Sequence, residues 1–336
     1  MNIKDVLFEL SRLSAIGTVS DAADTAAEIM GKYARVRRIG EKGVVAEIKG
    51  KSDYTILLDA HIDEVGFIVT DIGVNGFLTV QKCGGIDLRH LPAKAVTVHG
   101  KEKIPAVFTS TPPHLDKGGD LPDDIAQYKI DTGLGAKAME IISVGDYVTY
   151  RMTPTELLGG AVCGKSFDDR AGVACLIELA RRLSGKDLPC NLVFLLSDAE
   201  ELGLRGAKTA AYGIECDEAI AIDVSFGDGP DVPADKCGKL GSGGMIGISP
   251  VIDREISSKL VSIAKDNSIP YQTEVMGGNT STNADVISLT KSGIRTGLVS
   301  VPLRNMHTDV EVLQIRDLVS VCDMLERYIL SGGVSK

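Results

Sequence analysis

Two adjacent carboxylates, Glu200 and Glu201, follow the apolar run of NLVFLLSDAEE at residues 191–201. Such a run, short and bounded by polar residues, reads as a fully buried strand of an α/β sheet. Ligands of these sheets gather at the carboxyl ends of the strands. Two carboxylates placed there are costly to bury unless a cation, a proton or a substrate compensates them. Four other segments bring metal-ligand residues to comparable places. His61-Ile62-Asp63 closes the apolar stretch 54–63. Residues i and i+2 of a strand share a face, roughly 6–7 Å apart, so one could bind a metal while the other orients its imidazole. Asp168-Asp169 stands at the start of a helical pattern, Asp223 follows the apolar EAIAI, and His307 comes shortly after GLVSVPL. Mixed histidine and carboxylate ligands suit Zn²⁺, Co²⁺ or Mn²⁺ better than Ca²⁺. Five of them, with one carboxylate bridging, can hold two metals ~3.5–4 Å apart.

Each residue also has a plainer role open to it. A lone histidine can be structural, Asp168 can be a helix N-cap, and Asp223 can be a turn residue. Glu200 and Glu201 can be first-turn acids that complement a helix dipole. The joint pattern is harder to explain in those terms.

The elements that must position these residues are legible in outline. Residues 1–34 read as two helical segments around Gly17, the second starting near Asp21. Residues 66–151 change character: GFIVTDI, GFLTVQKCG, AVTVHG, IPAVFTS and YVTYR are short, alternating and separated by Gly, Pro or Asp, which predicts a small β-barrel or sandwich. From 168 onward the pattern is βα-like. Helices are expected over 169–183, 254–267 and 313–330, strands over 191–198, 218–225 and 297–303, and a loop over 228–244. The fold class is therefore α/β, a mixed sheet flanked by helices and interrupted by a β-rich insertion.

Composition narrows the partners. The net charge of −10, with no dense Lys/Arg stripe, argues against nucleic acid and anionic membranes. The absence of Trp and an aromatic content of 4% disfavour a stacking platform for bases or sugars. No stretch approaches the ~20 apolar residues of a membrane span. The first residues form no signal-peptide core, and seven scattered cysteines without a CxxC pair suggest reduced thiols, so a cytoplasmic location is expected.

DAHIDEVGFIV (59–69), GKSFDDRAG (164–172), AEELGLRGA (199–207), IDVS (222–225) and NMHTDVEV (305–312) together resemble the M42 family of dinuclear metallo-aminopeptidases. Some members of that family carry the label "cellulase M" or "endoglucanase M". VHGKEKIPAVFTSTPPHL (98–115) and ISVGDYVTY (142–150) are similar to its inserted β-domain. The resemblance runs over nearly the whole chain. It implies a zinc-exopeptidase-like catalytic domain made of residues 1–66 and 153–336, with a small dimerisation barrel at 67–152. It implies that His61, Asp168 and Asp223 bind one metal, that Asp168, Glu201 and His307 bind the other, that Glu200 is the general base and that Asp63 orients His61. A cis peptide between Asp168 and Asp169 is implied as well. So are two divalent ions per subunit (Zn or Co, with Mn as a third choice), short peptides as substrate, and a homo-oligomer that can reach a dodecamer. Ala199 stands where the family often has Gln. Asn283 replaces an Asp near the expected substrate pocket, and Thr308-Asp309 replaces a frequent Ser-Pro. None removes an implied ligand, and all bear on substrate preference.

Two rival chemistries have hooks in the sequence. Gly159–Ser166, GGAVCGKS, fits the G-x-x-x-x-G-K-[ST] phosphate loop of an NTPase. The preceding RMTPTELL makes a poor buried strand, Asp168-Asp169 would set negative charge beside the phosphates, and His61, Asp63, Asp223 and His307 would go unused. Lys165 is then read as an ordinary loop residue. Glycoside hydrolysis usually needs carboxyls ~5–9.5 Å apart on opposite sides of a bond. Neighbours such as Glu200 and Glu201 normally diverge, and the histidines would again lack a role. His90, His99 and His114 all fall in the β-rich insertion, where surface or packing roles are expected.

Overall fold

The computed structural model describes residues 2–40, 42–112, 114–115, 124–230 and 232–334. The chain opens with helices α1 (Ile3–Arg12) and α2 (Asp21–Met30). Asn2 caps α1 by accepting the Asp5 N–H while the Asp5 side chain accepts the Asn2 N–H, a reciprocal pair that fixes the helix start. Ile3, Val6, Leu7 and Leu10 form its buried stripe. Strands β1 (Arg35–Ile39), β2 (Gly43–Ile48) and β3 (Thr55–His61) follow.

The chain then builds β4 (Gly66–Ile72), β5 (Leu78–Cys83), β6 (Ala95–His99), β7 (Lys103–Phe108), β8 (Ile130–Asp131), helix α3 (Ala138–Ile141) and β9 (Tyr147–Tyr150). These six strands close into a barrel in the order β4-β5-β8-β7-β6-β9. Alternation drives it: in β7, Ile104, Ala106 and Phe108 point inward while Lys103, Pro105 and Val107 face out. Phe67, Phe108 and Tyr150 pack edge to face at its centre, with ring centroids 5.0 and 5.7 Å apart.

After β10 (Thr155–Glu156) and β11 (Ala161–Gly164) comes α4 (Phe167–Leu183). Next are β12 (Asn191–Ser197), α5 (Arg205–Tyr212), β13 (Glu218–Phe226), β14 (Gly244–Ile248), α6 (Arg254–Asp266) and β15 (Tyr271–Val275). The chain ends with α7 (Ala284–Ile287), β16 (Arg295–Leu303), β17 (Glu311–Gln314) and α8 (Ile315–Leu330). The main sheet has eight strands in the order β1-β2-β12-β3-β13-β16-β14-β15. β12, β3, β13 and β16 run parallel, and β2 and β14 flank them antiparallel. The larger core joins this sheet to α1, α2, α4, α6 and α8, and a smaller one packs α5 and α7 against it. The mixed α/β sheet and the barrel match the architecture expected from the sequence.

Two readings change. The pair β1–β2 was not anticipated, because RVRRI carries no apolar alternation and forms the exposed edge. The expected helix at 313–330 begins only at Ile315, since Leu313 is spent in β17, paired with β11. The GGAVCGKS stretch contains a strand, β11, which agrees with setting the phosphate-loop rival aside.

Candidate metal centre

The carboxyl ends of four parallel strands and the distorted first turn of α4 meet at one patch. His61 is the last residue of β3, Asp223 lies in β13, Glu200 and Glu201 sit in the turn after β12, and His307 follows β16. Asp168 joins them from α4, whose helical geometry sets in only after Asp169. The peptide Asp168–Asp169 is cis. Asp169 then acts as the true cap, accepting the Gly172 N–H at 2.9 Å.

Asp168 lies between the two histidines. Its Oδ1 is 3.0 Å from His61 Nε2 and its Oδ2 is 3.3 Å from His307 Nε2. Asp223 Oδ1 and Glu200 Oε2 are each 4.0 Å from His61 Nε2, and Glu201 Oε1 is 3.4 Å from His307 Nε2. Asp168, Glu201 and His307 form one group whose ligand atoms all lie within 4.8 Å of one another; His61, Asp169 and Asp223 form a second.

Backbone anchors hold these side chains. Asp63, beyond the end of β3, accepts the N–H groups of Glu200 and Glu201 at 3.0 and 3.2 Å. It lies 3.4 Å from His61 Nδ1, which has no hydrogen-bond partner. Glu311 accepts from Phe167 and Asp168 through one oxygen, at 2.6 and 3.2 Å, and from His307 through the other, at 2.9 Å. One buried carboxylate thus pins two of the candidate ligands. The barrel contributes too: the Gly85 carbonyl accepts from His307 Nδ1 at 2.6 Å, which turns Nε2 toward the cluster. A side chain at Gly85 would put Cβ 3.1 Å from that ring nitrogen. His307 and Ala199 both have positive φ, a conformation that concentrates at functional sites.

The electrostatics are those of a cluster short of positive charge. Burial, reinforced by Asp168, pushes the Glu201 carboxyl up to about 8. Burial also raises Glu200, and lifts Asp223 well above the ordinary range, with nearby carboxylates adding to it. Burial would lower both histidines, but the acids outweigh it. His61 is held well above its ordinary value by Glu200, Asp168 and Asp63, and His307 is raised to about 9 by Asp168 and Glu201. Asp168 alone is driven down, because two histidines bond to it. Nitrogen and oxygen donors, crowded acids and the orphaned Asp169 Oδ2 fit a divalent cation of the zinc type.

One sequence expectation changes here. Lys165 lies in the bend between β11 and α4, but it is not an ordinary loop residue. It is 3% exposed, with Nζ 2.6 Å from Glu64 Oε2, and Ser166 Oγ donates to the same oxygen at 2.6 Å. These contacts, made because α4 must pack inward immediately after β11, also leave no phosphate loop. Asn283, expected near the substrate pocket, is buried beside Thr282 of the cleft wall, donating to Asp59 Oδ2 at 2.8 Å and Ser197 Oγ at 2.9 Å, beside an Asp59 carboxyl that burial raises to about 7. Asp309, the other departure, pairs with Lys94 of the barrel at 2.6 Å. Glu311, Glu64 and Asp59 were not picked out from sequence. For Glu311 the signal was an acid four residues after His307.

A cleft of about 580 Å³ opens over the cluster, with Asp168, Glu200, Glu201, Asp223 and His307 on its floor. Among the described residues no helix is long and apolar enough to cross a membrane. A sequence model of the M42 glutamyl aminopeptidase family matches residues 42–324. The chain is 29% identical over 303 residues to the lysyl aminopeptidase of Pyrococcus furiosus, covering 88% of this chain and 87% of the relative. Its fold superposes on aminopeptidase APDkam598 of Desulfurococcus kamchatkensis with a TM-score of 0.92 and 31% identity, covering 98% and 94% of the two chains. The Pyrococcus horikoshii TET1 peptidase, described as assembling into a tetrahedron or a large octahedral shell, gives a TM-score of 0.87 at 29% identity, covering 98% and 99%. The match over most of its length, carried by a histidine–carboxylate cluster suited to a metal, means that the chain belongs to the M42 family of metal-dependent aminopeptidases.

Proposed function

We propose that the protein removes N-terminal residues from short peptides with two divalent cations, Zn or Co, with Mn as a third choice. His61, Asp168 and Asp223 would hold one cation; Asp168, Glu201 and His307 would hold the other. The observation that carries this reading is Asp168, which presents one oxygen to each histidine at 3.0 and 3.3 Å. When bound, such ions lower the pKa of a held water from ~15.7 to about 7 and polarise a carbonyl oxygen.

The chain's own groups do the rest. Glu200 faces the cleft, and its raised pKa suits it to take a proton from water and return it to the leaving amine. Asp63 is its positioning residue, because it holds the Glu200 and Glu201 backbone. The same acidic floor receives the substrate's free α-amine, which confines cleavage to the first residue. Self-association, with the barrel as the contact, belongs to the same reading; the TET1 relative, described as assembling, supports the association. The test is hydrolysis of free aminoacyl substrates, with N-acetylated controls, in metal-free protein and after adding Zn²⁺, Co²⁺ or Mn²⁺. Metal-dependent cleavage of free amines only is expected. Equal cleavage of the N-acetylated controls would overturn the reading.

A further inference from the structure

We propose that the cleft selects a cationic N-terminal side chain, Lys or Arg, through Glu274, and turns acidic ones away. This rests on the aminopeptidase reading above and names its substrate class. Glu274, on β15, lines the cleft. The Ser225 hydroxyl donates to its Oε1, and the Ser300 hydroxyl is its other neighbour, so only neutral hydroxyls meet a carboxyl that burial raises above its ordinary value. Ser225 lies two residues beyond Asp223 on β13, so the two share a face roughly 6–7 Å apart.

The charge pattern gives Glu274 its meaning. Two dications would meet the charge of Asp168, Glu200, Glu201 and Asp223. Glu274 meets Ser225, beyond Asp223 on the same strand face, and among the described residues it pairs with no cation. Among the described residues that line the cleft there is no Lys or Arg. An acidic side chain entering there would find no counter-charge and would face Glu274. A partly buried carboxyl met only by hydroxyls is costly as an anion, and a substrate ammonium or guanidinium is the group that offsets its charge.

The walls fit the rest of such a side chain. Leu204, Met276 and Met306 give the same cleft apolar surface. Lysine carries its charge on a flexible four-carbon stem, and such stems lie along apolar surface while the charged head finds a polar end. The α-amine at the metal floor and the side-chain cation at Glu274 would thus be read at two ends of one residue.

The experiment measures kcat/KM of the metal-loaded full chain on Lys-, Arg-, Met-, Leu- and Glu-aminomethylcoumarin. Lys and Arg should exceed Met by on the order of 10–100-fold, with Glu slowest. Glu274→Gln should shrink the Lys:Met and Arg:Met ratios by the same factor. Glu cleaved as fast as Lys, or ratios untouched by Glu274→Gln, would overturn the proposal while leaving an aminopeptidase standing. Calorimetric binding of lysinamide against norleucinamide separates the two readings. Tighter lysinamide binding, lost in Glu274→Gln, supports the selectivity even if turnover fails, and equal binding sinks it.

Discussion

Two buried polar clusters lie a few residues apart in this chain, and they are built on opposite terms. Around Glu64 every oxygen is answered. Oε2 accepts from Lys165 and Ser166, and Oε1 accepts from the Ala15 N–H at 3.1 Å and faces Arg170 at 3.5 Å. Burial would raise the Glu64 carboxyl, but Lys165 and Arg170 bring it below its ordinary value. Around Asp168 the acids outnumber the cations, and Glu200, Glu201 and Asp223 are all lifted instead. In the first cluster the acid is fully satisfied within the chain, with Arg170 Nε left unpartnered, and the cluster serves the fold. The second is incomplete by charge, and the deficit describes what it binds. Clusters that push pKa values up by crowding are where function is sought.

Breaking the second cluster should cost most in rate. Glu200→Gln should lower kcat by on the order of 10²–10⁴-fold while bound metal, counted by elemental analysis, stays unchanged. Full activity in that variant would remove the residue from the chemistry. Breaking the first cluster should cost stability instead. Glu64→Ala leaves Lys165 and Arg170 buried without their acid, for a loss of about 3–5 kcal/mol in urea denaturation. Replacing Glu64 and Lys165 together with Leu and Met should lose less, and an equal loss would contradict the pairing.

Glu311 touches the second cluster only through backbone. Glu311→Gln puts an N–H₂ against one of the N–H groups it now accepts, so metal affinity should weaken by about 10–100-fold in titration calorimetry, with helix content unchanged. The smallest effect concerns pH. Glu201 is raised from 4.5 to about 8 and His307 from 6.5 to about 9. Both bind protons more tightly when folded, so their contribution is full at low pH and is lost as pH rises through those values. Metal-free protein should therefore lose stability between about pH 5 and 9, and added metal should flatten the slope. Denaturation midpoints that rise over that range would contradict it.

The sequence made the second cluster legible and left the first almost silent. Candidate ligands such as His61, Asp223 and Glu201 stand at the ends of apolar runs, and parallel pairing of those strands brings the ends together. Lys165 and Glu64 carry no such mark. Their meeting depends on how the barrel, the α1–α2 loop and α4 close on one another, and Gly17 shows how tight that closure is. A Cβ there would lie 1.8 Å from the Tyr147 ring. The barrel itself was legible because alternation and turn residues are local signals. The edge pair β1–β2 was not, because an exposed strand of arginines needs only a partner backbone.

The Gly85 carbonyl that grips His307 belongs to the inserted barrel, and the Lys94–Asp309 pair clamps the same loop from the same side. The insertion is therefore not an accessory that could be pruned to give a smaller enzyme. Whatever pulls on the barrel also pulls on an imidazole of the active cluster, and a rigid shell of subunits would keep that ring still.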